Sequence, residues 1–246
     1  MNNMQIFATF CTLFLAQALI IHAKPESKAA EIQDAADVAE KVFVKLMAVI
    51  HKALDEASAS LKAAVQTVNA TATKLEDKAH DAFDLAMKPL NAKLKELLEE
   101  AKKLGANTTD CEHYIDDLTN LPNNLGDNMV ECMTDQIFKA TGYVDDILNH
   151  LHEIEQRMAN YTNKIHDCKG KIWKEVKCLA HLSAEMAKDT VDVPLKIAAD
   201  VGKTVLLINT LIPKVGLCYT TNLAQLPTQG LDIVGKFAKC VGVPQI

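Results

Sequence analysis

Six cysteines, Cys111, Cys132, Cys168, Cys178, Cys218 and Cys240, carry the clearest chemical signal in the chain, and their spacing points to oxidation. No pair stands at the close C-x-x-C interval of a zinc site, and no histidine pair at ligand spacing lies beside them. A seventh, Cys11, sits in an apolar N-terminal run. Without that run an even number remains, which in an oxidising compartment reads as three disulfides. Cys111 and Cys132 flank Pro122 and Gly126, Cys218 and Cys240 flank Pro227 and Gly230, and Cys168 and Cys178 bracket Gly170. Pairing between these neighbours is the simplest expectation, with long-range pairing left open.

The other residue types capable of chemistry do not assemble into a site. Gly202-Lys203-Thr204 has the tail of a phosphate-binding loop, but the motif needs glycine at position 197, where this chain has Ile197. His150 and His152 are two apart and diverge on a helix, while His51, His80, His113, His166 and His181 stand alone. The paired carboxylates Asp116-Asp117 and Asp145-Asp146 diverge by about 100° on a helix and read as solvated faces. No G-x-S-x-G or reactive-cysteine signature occurs. No catalytic residue, metal ligand or cofactor is expected, and the chain reads as a non-enzyme.

The elements that carry these residues are helical. All nine glycines lie at or after Gly105, so residues 24–104 form a glycine-free region. Its apolar and alanine positions, from Ile32 and Ala36 through Leu61, Val68 and Leu94 to Leu104, recur at the period of a straight amphipathic helix, about 3.6 residues. Pro89, and small or β-branched residues around Ser58 and Thr71, predict breaks, giving an N-terminal bundle or helical hairpin. Lys102 and Lys103 followed by Gly105 predict a helix stop. Residues 107–246 keep the helical pattern but are punctuated by glycine and proline, which predicts a disulfide-stapled bundle of shorter helices. The fold class is all-α.

Composition sets the class of partner. Hydrophobic residues at 49% and charged residues at 24% suit a folded protein rather than a disordered one. A net charge of −6 with a single arginine, Arg157, argues against nucleic acid. Residues 1–23 read as a signal peptide: Ile6 to Ile21 is apolar and short for a membrane span, and Ala23 is a small residue suited to the cleavage site. No second run reads as a transmembrane span. Sequons at Asn69, Asn107 and Asn160 agree with a secreted, extracellular glycoprotein.

The cysteines at 111 and 132, 168 and 178, and 218 and 240, set in a helical, sequon-bearing chain, resemble the TsetseEP-type secreted domain of insects over residues 107–242. The resemblance implies a secreted, disulfide-bonded insect protein with no catalytic residues to carry over, and it leaves residues 24–104 outside. Two functions follow as expectations. One is a non-enzymatic protein that meets an extracellular protein or glycan, with self-association through residues 28–104 as one form. The other is a carrier of a small apolar ligand or lipid, walled by Leu195, Ile197, Val201, Val205 and Ile208 of the apolar segment before Pro213.

Overall fold

The computed structural model describes residues 28–168 and 172–243; the signal-peptide reading of residues 1–23 lies outside them. Five α-helices follow in order: α1 Lys28–Lys103, α2 Glu112–Ala159, α3 Tyr161–Asp167, α4 Ile172–Asn209 and α5 Leu211–Cys240. A 3-10 turn, Thr109–Cys111, leads into α2 and packs against α5. Among the described residues there is no strand, in agreement with the all-α expectation.

The glycine-free region is one helix of 76 residues, with Pro89 inside it, rather than the expected bundle or hairpin. The buried positions explain why. They run Ala39, Leu46, Ile50, Ala57, Leu61, Val68, Ala72, Ala79, Phe83, Leu90, Leu94 and Ala101, alternating steps of seven and four. Eleven residues in three turns is 3.67 per turn, so one side of the helix stays buried from end to end. Pro89 is exposed and sits off this line. Its interior position costs about 3 kcal/mol. Phe83, Met87, Leu90 and Leu94, all buried around it, each return roughly 1.5–3 kcal/mol, so burial outweighs the break.

The helix ends as expected. Gly105 takes φ +66°, with Ala106 N–H donating to the Ala101 carbonyl at 3.0 Å and Gly105 N–H to Lys102 at 3.2 Å. This is a Schellman stop, and Gly242 at φ +71° closes α5 in the same way.

The expected turns at Pro122/Gly126 and Pro227/Gly230 are instead interior to α2 and α5. That overturns two of the three neighbour pairings. Along an unbroken helix Cys111 and Cys132 are about 30 Å apart, far beyond disulfide reach. The bonds are Cys111–Cys240, Cys132–Cys218 and Cys168–Cys178, and only the last joins neighbours as expected.

The chain divides into two compact units: the described part of Met1–Ala48 with Arg157–Val191, and Val49–Gln156 with Asp192–Ile246. The compositional change at residues 104–107 therefore marks the end of α1 rather than the edge of a unit. In the larger unit, His51 of α1 meets Glu155 of α2, and Cys132 of α2 bonds Cys218 of α5, so α2 runs antiparallel to both. Gly230 of α5 completes the arrangement by packing on Leu90 of α1. The result is an up-down-up arrangement of three helical arms.

In the smaller unit, the Tyr161 hydroxyl donates to Asp189 Oδ2 at 2.7 Å, with Lys164 Nζ 4.6 Å from the ring centroid. Burial first, then this hydrogen bond and the Asp189 charge, hold the Tyr161 pKa well above the ordinary tyrosine value. The neutral phenol is the form the fold favours. Its stabilisation is intact below the ordinary pKa of about 10 and is lost only as pH climbs through the raised value.

Tyr161→Phe should lower unfolding free energy by about 1 kcal/mol at neutral pH. In an alkaline absorbance titration it should remove a phenol that resists ionisation in the wild type. Glycine packing gives a second expectation. A Cβ at Gly230 would overlap the Leu90 side chain, whereas one at Gly142 would meet nothing. Gly230→Ala should cost about 1–3 kcal/mol by overpacking, and Gly142→Ala should gain up to about 1 kcal/mol, both read by denaturant unfolding.

Candidate functional site: an uncharged outer helix face

In the larger unit, the part of α4 from Asp192 onward and α5 carry an unusual surface. Thr210, between α4 and α5, keeps near-helical angles (φ −67°, ψ −14°), so one side-chain pattern continues across the junction. Val193, Ile197, Thr204, Ile208, Val215, Leu226 and Phe237 are buried at the same seven-and-four spacing seen in α1. Gly230 continues the buried line where Leu90 presses closest.

The opposite side should be polar, as it is elsewhere. The outermost row of α1 holds Lys41, Lys52, Ala63, Lys74, Leu85 and Glu96, and an outer row of α2 holds Asp116, Asp127, Phe138 and Asn149, so each has one large apolar residue, Leu85 at 65% and Phe138 at 69% exposed, among mostly polar ones. On α4 and α5 the equivalent row holds Leu195, Leu206 and Leu217, each 11 residues from the next and 56%, 67% and 62% exposed. Beside them lie Ala198, Gly202, Pro213 and Ala224. From Val193 to Leu231 the only charged residues are Lys196, Asp200, Lys203 and Lys214. At about 100° per residue, all four fall on the side that carries Cys218. That side faces α2: Cys218 bonds Cys132, and Asp200 lies 3.8 Å from His150 and 3.2 Å from Lys203. The leucine row itself carries no charge, while Lys203 and Lys214, each three positions before a leucine of the row, are exposed along its α2-side edge.

This geometry redistributes the residues expected to wall an apolar cavity. Ile197, Val201 and Ile208 are buried in the core, Val205 is half-buried, and Leu195 points outward. The five do not share one face, because neighbouring helix positions diverge. Gly202-Lys203-Thr204 lies in mid-helix, where the Thr204 hydroxyl donates to the Asp200 carbonyl at 3.1 Å. By length and composition alone, an 18-residue window within Lys174–Cys240 is apolar enough to cross a bilayer, a test that a helix of a soluble protein also passes. Only 33% of that window is buried, so the exposed leucines account for much of its hydropathy.

A second feature joins residues that are far apart in sequence. Glu155 Oε1 is 3.3 Å from His51 Nε2, and its Oε2 is 3.5 Å from His152 Nδ1. With Asp55, Leu148 and Leu151 these residues line an open groove of about 320 Å³ between α1 and α2. His51 and Glu155 stand 104 positions apart, so spacing gave no sign of the contact. His150 turns instead toward Asp200, as the divergence of His150 and His152 predicts. Among the described residues no cluster has the arrangement of a metal site. The three sequon asparagines, Asn69, Asn107 and Asn160, are all exposed, and none lies on α4 or α5.

Compared with protein-family models, with curated proteins and with solved structures, the chain matches none. The likeness to the TsetseEP-type domain therefore rests on cysteine spacing and helical texture alone.

The two faces of α4 should separate in a stability assay. Ile208→Ala should cost about 2–5 kcal/mol, because it empties a fully buried site. Leu206→Ser, two residues away, should stay within about 0.5 kcal/mol of the wild type in the protomer. Chemical denaturation of both variants checks the contrast.

Proposed function

We propose that this is a secreted, glycosylated, disulfide-bonded helical protein that works without catalysis, by docking an extracellular macromolecule on the outer face of α4 and α5. The observation that carries the reading is the exposed, uncharged row Leu195, Leu206 and Leu217, bordered on one edge by Lys203 and Lys214. Exposed leucines aligned on one side of a rigid helix mark a contact surface, whereas scattered ones need no explanation. Two disulfides tie α5 to α2 and to the turn before it, so the face is presented on a constrained scaffold and little ordering cost accompanies docking.

Three intramolecular disulfides fit an oxidising, extracellular environment, and the signal-like N-terminus and the sequons agree with it. None of the glycan acceptors Asn69, Asn107 and Asn160 lies on α4 or α5. The carrier alternative loses ground because the apolar surplus of these helices faces outward.

The test is native mass spectrometry on protein secreted from eukaryotic cells and cross-linked in the medium before purification. The wild type should appear in a species heavier than the glycosylated protomer by the mass of a macromolecule, and Leu206→Lys should abolish it. A protomer that carries only a small apolar molecule would reverse the choice in favour of the carrier.

A further inference from the structure

We propose that Asn107 is the one sequon of the three that a glycosyl-transferring enzyme can modify in the folded protein, and that Asn69 and Asn160 close once the helices form. The inference rests on the secreted reading above and distinguishes among its sequons. In the modification, asparagine Nδ2 forms a bond to the anomeric carbon of an oligosaccharide carried on a lipid pyrophosphate. The bond from that carbon to the pyrophosphate oxygen breaks, its electron pair leaves with the lipid pyrophosphate, and one Nδ2 proton passes to a base of the enzyme. The sequon requires a hydroxyl two residues after the asparagine, so the enzyme has to meet both side chains at once.

Asn107 meets this condition. It is exposed, in the non-helical stretch 106–108 that precedes the 3-10 turn Thr109–Cys111. Its Oδ1 accepts the Thr109 N–H at 3.1 Å, which folds the asparagine side chain back toward the residue that carries the hydroxyl. That bond engages the carboxamide oxygen and not Nδ2, the atom that reacts. Thr109 is exposed as well. The stretch is held at both ends, by the helix stop at Gly105 and by the Cys111–Cys240 bond.

Asn69 and Asn160 fail the condition for different reasons. Asn69 lies well inside α1, where residues two apart diverge by about 200°, so Asn69 and Thr71 point to nearly opposite sides. The Thr71 hydroxyl is turned back on the helix, donating to the Thr67 carbonyl at 2.8 Å. Freeing this tripeptide would unwind α1 where Val68 and Ala72 are buried. Asn160, between α2 and α3, has near-helical angles (φ −65°, ψ −10°), and its Oδ1 accepts from Asn163 Nδ2 at 2.8 Å rather than from within its own sequon. The middle residue of that sequon, Tyr161, is buried and bonded to Asp189. Lifting the tripeptide into an enzyme cleft would pull Tyr161 out of its contact.

The test takes the full chain, produced without glycan and with its three disulfides formed, and offers it a purified eukaryotic oligosaccharyl-transferring enzyme with the lipid-linked donor. A second arm uses the same chain reduced and alkylated, so that it stays unfolded. Peptide mass spectrometry reads occupancy at each site over time. In the native arm Asn107 should react on the order of 100-fold or more faster than Asn69 or Asn160, because those two react only through local opening. In the unfolded arm the difference should collapse. Asn107→Asp, which keeps an oxygen to accept the Thr109 N–H, should leave the native chain unmodified. Equal rates in the native arm, an Asn107 that reacts only after unfolding, or a preference for Asn107 that persists in the unfolded chain overturns the assignment. The secreted reading fails separately: the full chain expressed in eukaryotic cells would then stay inside them and carry no glycan at any site, whatever the native arm shows.

Discussion

Three turns in eleven residues is the constraint from which the rest of this structure follows. A helix whose buried side chains step by seven and four keeps one side toward its neighbours without the drift that a seven-residue repeat corrects by left-handed supercoiling. In α1 the line runs from Ala39 to Ala101, and in α2 from Leu118 through Leu125, Met129, Gln136 and Ala140 to Met158. In α4 and α5 it runs from Val193 to Val241, even though a short interruption at Thr210 separates the two helices. Long helices in register can be stabilised by area that accumulates along their length. Alanine at Ala57, Ala72, Ala79 and Ala140 then serves close approach of helix axes rather than bulk filling of a core.

The same constraint explains the crosslinks. The unfolded chain has much conformational freedom to lose when such long helices are brought together. Bonds across 129 and 86 residues restrict that freedom more than short loops would, by about 4–5 kcal/mol each in the chain-entropy account. They join the turn before α2, and α2 itself, to α5 at two levels, which fixes the register of an antiparallel pair. A one-turn slip would carry the seven-and-four lines out of mutual contact. Cys168–Cys178 acts differently, closing a loop of sequence separation 10 between α3 and α4 in the smaller unit.

Much of this was legible in the sequence, and the failures share one cause. Helical content, the stop at Gly105, the pairing of all six cysteines and the Cys168–Cys178 bond follow from local chemistry that the surroundings reinforce. The continuity of α1 through Pro89, and of α2 and α5 through Pro122/Gly126 and Pro227/Gly230, does not. A proline or glycine signals a break of fixed local cost, whereas the burial that overrides it comes from partners that sequence spacing does not identify. Once those turns were assumed, neighbour disulfides followed from them, so one misjudged balance produced two wrong pairings. The His51–Glu155 contact had no local signal. The leucines at 195, 206 and 217 did have one, since their spacing is visible in the chain, but with no second line identified the apolar segment read as a single wall.

The outer face gains its meaning from what it lacks. A helix that must bury one side and remain soluble on the other gains nothing from three aligned leucines facing water, and each could be polar at no cost to the core line. Charge is abundant on the outer rows of α1 and α2, so composition does not force its absence from α4 and α5. The four charged residues that do occur between Val193 and Leu231 gather on the α2 side, where His150 and Lys203 flank Asp200. An uncharged leucine row, on helices that α5 ties by two disulfides to α2 and the turn before it and that bear no sequon, combines three properties that the docking proposed above would use. Charge removal lowers desolvation cost, crosslinking lowers ordering cost, and the absence of glycan sites leaves the approach open.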